Sequence, residues 1–345
     1  MKWTLLVLLT LATGCGASRA PDRRWVRLPD LPDREGFAGS FAGTSHGVLI
    51  VAGGANFPGA KPWEGGKKVW YDTVFVLENP NGRWKVAGRL PRPLGYGVSV
   101  THNGGVVCVG GSNADRHFAD AFRLDWDGGR LVVSDLPPLP KPVANACGAL
   151  SGDDLYVIGG LSHPDATTAL DTVYRINLSV RNPQWGAVAS LPGGGRMLAT
   201  AAAASGRIWV AGGVELRLGP DARAVRHYLK DAYRLDPHGW VRIADLPLAA
   251  AASPSPAPAA ASQFWVLGGD DGSQAAASDQ HRGFSTRVLR YDATRDAWAT
   301  AGEVPAAHVT APCVRWKGWW VVPSGEVRPG VRSPRVWGLK PLTGE

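Results

Sequence analysis

Near its C-terminus the chain reads Ser324-Gly325-Glu326-Val327-Arg328-Pro329-Gly330-Val331-Arg332. A carboxylate and a guanidinium separated by a Pro-Gly turn can act together. The acid can move a proton while the guanidinium clamps a ligand carboxylate through two parallel hydrogen bonds. The same residues also suit a plain strand-end ion pair, of Glu326 with Arg328 or Arg332, and spacing alone leaves both readings open. Five earlier segments each place a glycine pair after an apolar run, at Gly53-Gly54, Gly110-Gly111, Gly159-Gly160, Gly212-Gly213 and Gly268-Gly269. At the sixth occurrence, Gly325-Glu326, glutamate reads as the replacement of the second glycine.

Two further sets of residues invite a binding role. A Leu-Pro or Val-Pro phrase recurs along the chain, and after it come Arg34, Arg92, Lys141, Arg196 and His308. If these face one opening they make a basic funnel suited to an anionic small molecule, although exposed loops carry Lys and Arg in any case. The segments after the glycine pairs are long, and loops on a rigid scaffold are where function concentrates. The first carries Glu64 and Lys67, the fourth Glu215 with Arg217 and Arg223, and the fifth His281. Glu215 could equally just pair with Arg217. No two-histidine metal motif, Gly-x-Ser-x-Gly nucleophile or phosphate-cradling loop is present, so no metal or cofactor is expected.

The elements that must position these groups are short strands. The chain has 345 residues, 44 of them glycine and 15 tryptophan, and no long helical periodicity. A single compact core rarely exceeds about 250–300 residues, so growth by repetition is the natural solution. The glycine landmarks recur every 49 to 57 residues or so, the kelch period. Each unit parses into four strands, and the third strand opens with Asp at Asp72, Asp120, Asp171 and Asp231. An aromatic followed by Leu-Pro closes most units, as in Trp84…Leu90-Pro91, but the second lacks its tryptophan. Six such units predict an all-β, six-bladed kelch-type propeller. The last unit, around residues 311–339, is one strand short, and Trp25–Leu28 supplies it, so the N-terminal strand closes the ring in the C-terminal blade and leaves no open edge. The Ala/Pro/Ser tract at residues 249–261 fits poorly, since proline cannot donate to a central ladder; its strand should be short or displaced.

The N-terminus, Lys2 followed by the apolar run Trp3 to Ala12 and then Thr13-Gly14-Cys15, reads as a secretory signal over residues 1–20. Cys15 stands where a lipoprotein would be acylated, with cleavage near Ala17 or Ala20 the alternative. The propeller then occupies residues 21–345. The expected location is periplasmic or secreted, with contact to a membrane only through a lipid on Cys15. Cys108, Cys147 and Cys313 sit in apolar strands and read as buried thiols, with a Cys108–Cys147 disulfide as the alternative. The net charge of +8 is dispersed, unlike a nucleic-acid-binding surface.

Three segments carry a specific resemblance: Phe37-Ala38-Gly39-Ser40-Phe41-Ala42-Gly43, Trp63-Glu64-Gly65-Gly66-Lys67-Lys68, and Gly325-Glu326-Val327-Arg328-Pro329-Gly330-Val331-Arg332. Together they resemble the sialic acid mutarotase, or N-acetylneuraminate epimerase, family in a cyclically permuted branch. The resemblance implies a periplasmic isomerase that interconverts the anomers of a sialic-acid-like sugar acid without a cofactor, with Glu326 and Arg332 as the functional pair. The competing expectation is a non-catalytic propeller that binds a glycan or a protein partner.

Overall fold

The computed structural model describes residues 24–340; the signal segment and Cys15 lie outside them. Six four-stranded antiparallel sheets stand around a central axis. Blades one to five follow chain order. Blade one runs from the inner strand Phe41–Ser45 through Val48–Ala52 and Thr73–Leu77 to the outer strand Lys85–Arg89. Blade six combines Val314–Trp316, Trp319–Pro323 and Val336–Leu339 with Trp25–Leu28, paired in the register Trp25↔Leu339 to Leu28↔Val336. The expected closure of the ring by its two ends is therefore present.

Each blade is apolar on both faces of its middle strands, because both faces meet a neighbour. Trp316, Val321 and Val336 of blade six pack with Leu49, Val51 and Phe75 of blade one. Blades four and five meet through Trp209, Phe264 and Tyr291. Burying a side chain of this size contributes about 1.5–3 kcal/mol. The recurrent tryptophans add a directed link. The indole N–H groups of Trp84, Trp185, Trp240 and Trp298 donate to Pro29, Pro137, Ala189 and Ala244 of the preceding blade at 2.8–2.9 Å.

At the axis the six connections form a second ring. Gly39, Tyr96, Asn145, Leu198, Ala252 and Thr310, one from each blade, all have positive φ. Each N–H donates to the carbonyl of the residue before it in that circle, and Gly39 closes it onto Thr310 at 2.6 Å. For the five that are not glycine this conformation is unfavourable one by one, and the closed circle of hydrogen bonds holds them.

Three expectations are refined. The proline-rich tract keeps only Ala259–Ala260 as a strand. Two of its other backbone groups bond sideways to the neighbouring blades, Ala257 N to Ala201 O and Ser255 N to Ala311 O. The sixth landmark is also shifted by one residue. Ser324, at φ 61°, takes the conformation of the first glycine and Gly325 that of the second. Glu326 bridges Val309 as Ala55 bridges Ala38, so glutamate follows the pair and replaces neither glycine. Ser324 is tolerated because its buried Oγ accepts from Phe37 N at 2.7 Å and lies within bonding distance of the Phe37 and Ser333 carbonyls. Cys108, Cys147 and Cys313 are free and buried, so the Cys108–Cys147 disulfide does not form. Burial pushes the Cys147 thiol up to about 12.

Candidate active site

The residue after each glycine pair faces the axis: Ala55, Ser112, Leu161, Val214, Asp270 and Glu326. Above the closed hydrogen-bond circle these positions, Ala55 excepted, and the loops beyond them line a cavity of about 630 Å³, within the usual range for small-molecule sites.

Glu326 and Arg332 meet there because the chain between them is a tight hairpin. Glu326–Arg328 pairs with Val331–Arg332, with Glu326 directly across from Arg332. Gly330 turns the hairpin at φ 77°, where a Cβ would lie 2.7 Å from Pro62, so the tip is pressed against the first loop. Gly330 N donates to Glu326 Oε1 at 2.7 Å, and Arg332 Nη1 lies 3.0 Å from the same oxygen. The side chains are only 15% and 3% exposed. The Arg332 guanidinium stacks 4.7 Å over Phe57, and its Nη2 donates to the Tyr96 hydroxyl at 3.4 Å. Nε makes no hydrogen bond, and Nη1 faces Glu326 off the bonding direction. A desolvated guanidinium at a cavity wall is suited to receive a ligand carboxylate.

The other two segments of the resemblance shape this wall. Gly39 belongs to the axial circle, and a Cβ there would sit 2.7 Å from the Tyr96 ring, so glycine leaves room for Tyr96 to stand in the cavity. In the first loop Pro62–Glu64 forms a single helical turn, capped as Glu64 Oε2 accepts from Lys61 N. Glu64 and Lys67 are exposed, and it is Lys68 that lines the cavity, with its Nζ about 5 Å from the Trp70 and Tyr96 rings.

The expected basic funnel does not form. Arg196 is fully buried and bonds both oxygens of Asp231 at 2.8 Å, while Arg92 pairs with Asp120. In both cases the arginine of a connection ties it to the aspartate that opens the next blade's third strand. This explains both recurrences as structural. Burial opposes ionisation of Asp231, but the bonds from Arg196 outweigh it and hold its carboxyl below the usual range. His308 is buried between blades five and six, where desolvation lowers it to about 4. Arg34 is exposed, and Glu215 turns outward to pair with Arg217. Lys141 is exposed, and none of Arg34, Arg92, Lys141, Arg196, Glu215 and His308 lines the cavity.

Residues not singled out from sequence take their places: Tyr96, Lys68, His117 and Asp270. The buried His117 donates from Nδ1 to Leu161 O at 3.0 Å, which leaves Nε2 as an acceptor, and burial lowers its pKa. Tyr228 donates to Asp270 at 2.8 Å. A signal did exist, since Tyr96 holds the same place relative to the glycine pair as Gly39, two to five residues beyond the basic positions.

Fold and site thus define a six-bladed propeller with a buried acid–guanidinium pair in an axial small-molecule cavity. Residues 11–133 match the family model for N-acetylneuraminate epimerase. The N-acetylneuraminate epimerase of Yersinia enterocolitica is 38% identical over 142 residues, covering 36% of this chain and 35% of that protein. That of Haemophilus influenzae strain 86-028NP is 37% identical over 141 residues, covering 36% and 37%. The match thus spans about a third of the length of these relatives. The family-model match contains the Phe37 and Trp63 segments and stops short of Glu326. The solved structure of YjhT superposes with a TM-score of 0.67 at 15% identity, over 92% of this chain and 98% of that one, a likeness of fold.

Proposed function

We propose that this propeller is an isomerase that interconverts the anomers of a sialic-acid-like 2-keto sugar acid in its axial cavity. The observation that carries the reading is the Glu326–Arg332 pair, desolvated and set together in the wall of the cavity. The similarity of the first third of the chain to N-acetylneuraminate epimerases supports it.

Mutarotation is redox-neutral and needs only proton transfers. Glu326 takes the proton of the anomeric hydroxyl as the bond from the anomeric carbon to the ring oxygen breaks, and passes it to that oxygen, which becomes a hydroxyl. The open-chain ketone turns about the adjacent carbon–carbon bond, and reclosure on its other face reverses the transfers. Arg332 holds the substrate carboxylate throughout, so the reacting carbon stays beside Glu326. The amide N–H of Gly330 fixes the carboxylate of Glu326, leaving Oε2 for the transfer. The signal-like N-terminus supports delivery to the periplasm or beyond, with Cys15 as the acylated residue. Incorporation of a lipid probe that is lost on Cys15→Ser checks this.

The test is anomer exchange of freshly dissolved N-acetylneuraminate followed by NMR, with Glu326→Gln as control. Acceleration by wild type and not by the variant supports the reading. Saturable binding with exchange no faster than buffer would leave a non-catalytic binder.

A further inference from the structure

We propose that Arg328 is a positioning residue for the reaction, strapping the Glu326–Arg332 hairpin between two loops so that Glu326 keeps its aim. This rests on the reading above and adds to it what holds the acid in place.

In a regular hairpin Glu326 and Arg328, two residues apart on one strand, would present their side chains to the same face. The pairing here slips by one residue between them, with Glu326 opposite Arg332 but Arg328 opposite Val331. Such a bulge re-aims a side chain. Arg328 accordingly takes no part in the cavity wall that Glu326 and Arg332 line. It turns over the neighbouring loops. Its guanidinium lies 5.2 Å above the Trp63 ring, in the loop of blade one. Its Nη1 donates to the carbonyl of Asp279, in the loop of blade five, at 3.0 Å. One side chain thus joins the loops on either side of the hairpin.

The backbone repeats this arrangement. Phe284 N, also from the fifth loop, donates to Val327 O at 3.1 Å. Gly330, at the tip, rests on the first loop, where a Cβ would lie 2.7 Å from Pro62 and 3.2 Å from Trp63. The helical turn that presents Trp63 is the one Glu64 caps. The tip matters because Gly330 N is the donor that fixes Glu326 Oε1. Arg332 is anchored elsewhere, on Phe57 and the Tyr96 hydroxyl. Releasing Arg328 therefore loosens the acid and leaves the guanidinium that binds substrate in place.

The test compares wild type with Arg328→Ala, Arg328→Lys and Trp63→Leu in anomer exchange of N-acetylneuraminate by the full-length protein. Arg328→Ala should lower kcat by about ten- to a hundredfold, the size of an ångström-scale misplacement, with KM within about twofold. Tm should stay close to wild type, since a cation over a partly exposed ring contributes little to stability. Arg328→Lys keeps a cation for Trp63 and a donor for Asp279, and should recover most of the rate. Trp63→Leu should resemble Arg328→Ala, and combining the two should lower kcat no further. Hydrogen exchange at the Gly330 amide reads the hairpin independently of turnover. Its protection should fall about tenfold in Arg328→Ala and persist in Arg328→Lys. A wild-type kcat in Arg328→Ala, or a loss shared equally by kcat and KM with a lowered Tm, overturns the positioning role and leaves the mutarotase reading standing. Absence of exchange by wild type overturns mutarotation. The Gly330 amide then still decides whether Arg328 holds the hairpin, and unchanged protection in Arg328→Ala overturns that hold.

Discussion

Glu326→Gln separates chemistry from folding, because glutamine keeps the shape and removes the charge. The amide oxygen can still accept from Gly330 N, so the hairpin has no reason to open. What is lost is the counter-charge of Arg332, whose side chain is 3% exposed and cannot turn to water. Breaking a buried pair by removing one partner costs about 3–5 kcal/mol. The Tyr96 hydroxyl and the Phe57 face still attend the guanidinium, which places the cost near about 3 kcal/mol, or about 5 °C in Tm. Exchange should fall by about 10²–10⁴-fold, the usual share of a general acid or base. Adding Arg332→Met removes the stranded charge and should recover most of the stability but none of the activity. Calorimetry and NMR exchange on the three proteins measure both effects. An E326Q protein that exchanges anomers at the wild-type rate refutes the proton-transfer role. One that melts with wild type refutes the claim that the pair is buried and coupled.

Asp231→Asn should destabilise the fold by about 3 kcal/mol, by stranding the fully buried Arg196. Because the folded pKa of Asp231 lies below its ordinary value, the stability it supplies is present above about pH 4 and lost as pH falls through the folded value. Urea titrations should therefore show a flatter acid limb in the variant. His308 has its folded pKa near 4 against 6.5 unfolded, so the unfolded chain takes up a proton first as pH drops. Stability should fall by up to about 3 kcal/mol between those values, and His308→Leu should reduce the slope there by up to about 1.4 kcal/mol per pH unit. Gly39→Ala should raise KM several-fold with a smaller change in kcat, because its methyl group displaces Tyr96 from the cavity. A steady-state titration with an unchanged KM would show that Tyr96 does not depend on the space at Gly39.

The fold was legible because its signals repeat. Glycine pairs, Leu-Pro phrases and tryptophans each mark the same place in successive blades, and the missing strand of blade six announced where the ring closes. The site was legible only where it departs from the repeat, at Glu326 and Arg332. The basic connections misled because Arg92 and Arg196 do recur, but for a local reason that single-chain reading could not separate from a shared funnel. Their partners Asp120 and Asp231 lie well along the sequence, at the start of the next blade's third strand. The one-residue offset at Glu326 had a similar cause. Serine in the left-handed conformation is uncommon, so Ser324 did not look like a glycine equivalent until its Oγ was seen bonded to the chain at Phe37.

The ring's closure and the site are one construction. Glu326 and Arg332 belong to the last blade, while Phe57 and Pro62, against which their hairpin rests, belong to the first, and Tyr96 to the second. The contacts joining these parts cross the point where the ends of the chain meet: Ser324 to Phe37, Gly39 to Thr310, and the strand Trp25–Leu28 laid on Val336–Leu339. A ring with its last blade unclosed would retain every blade's internal hydrogen bonds and still lack the cavity wall. The acid and the guanidinium share one short hairpin, but the burial that makes them useful comes from residues more than 200 positions earlier in the chain. Pairing the two termini is therefore what converts an ordinary strand-end ion pair into a desolvated one.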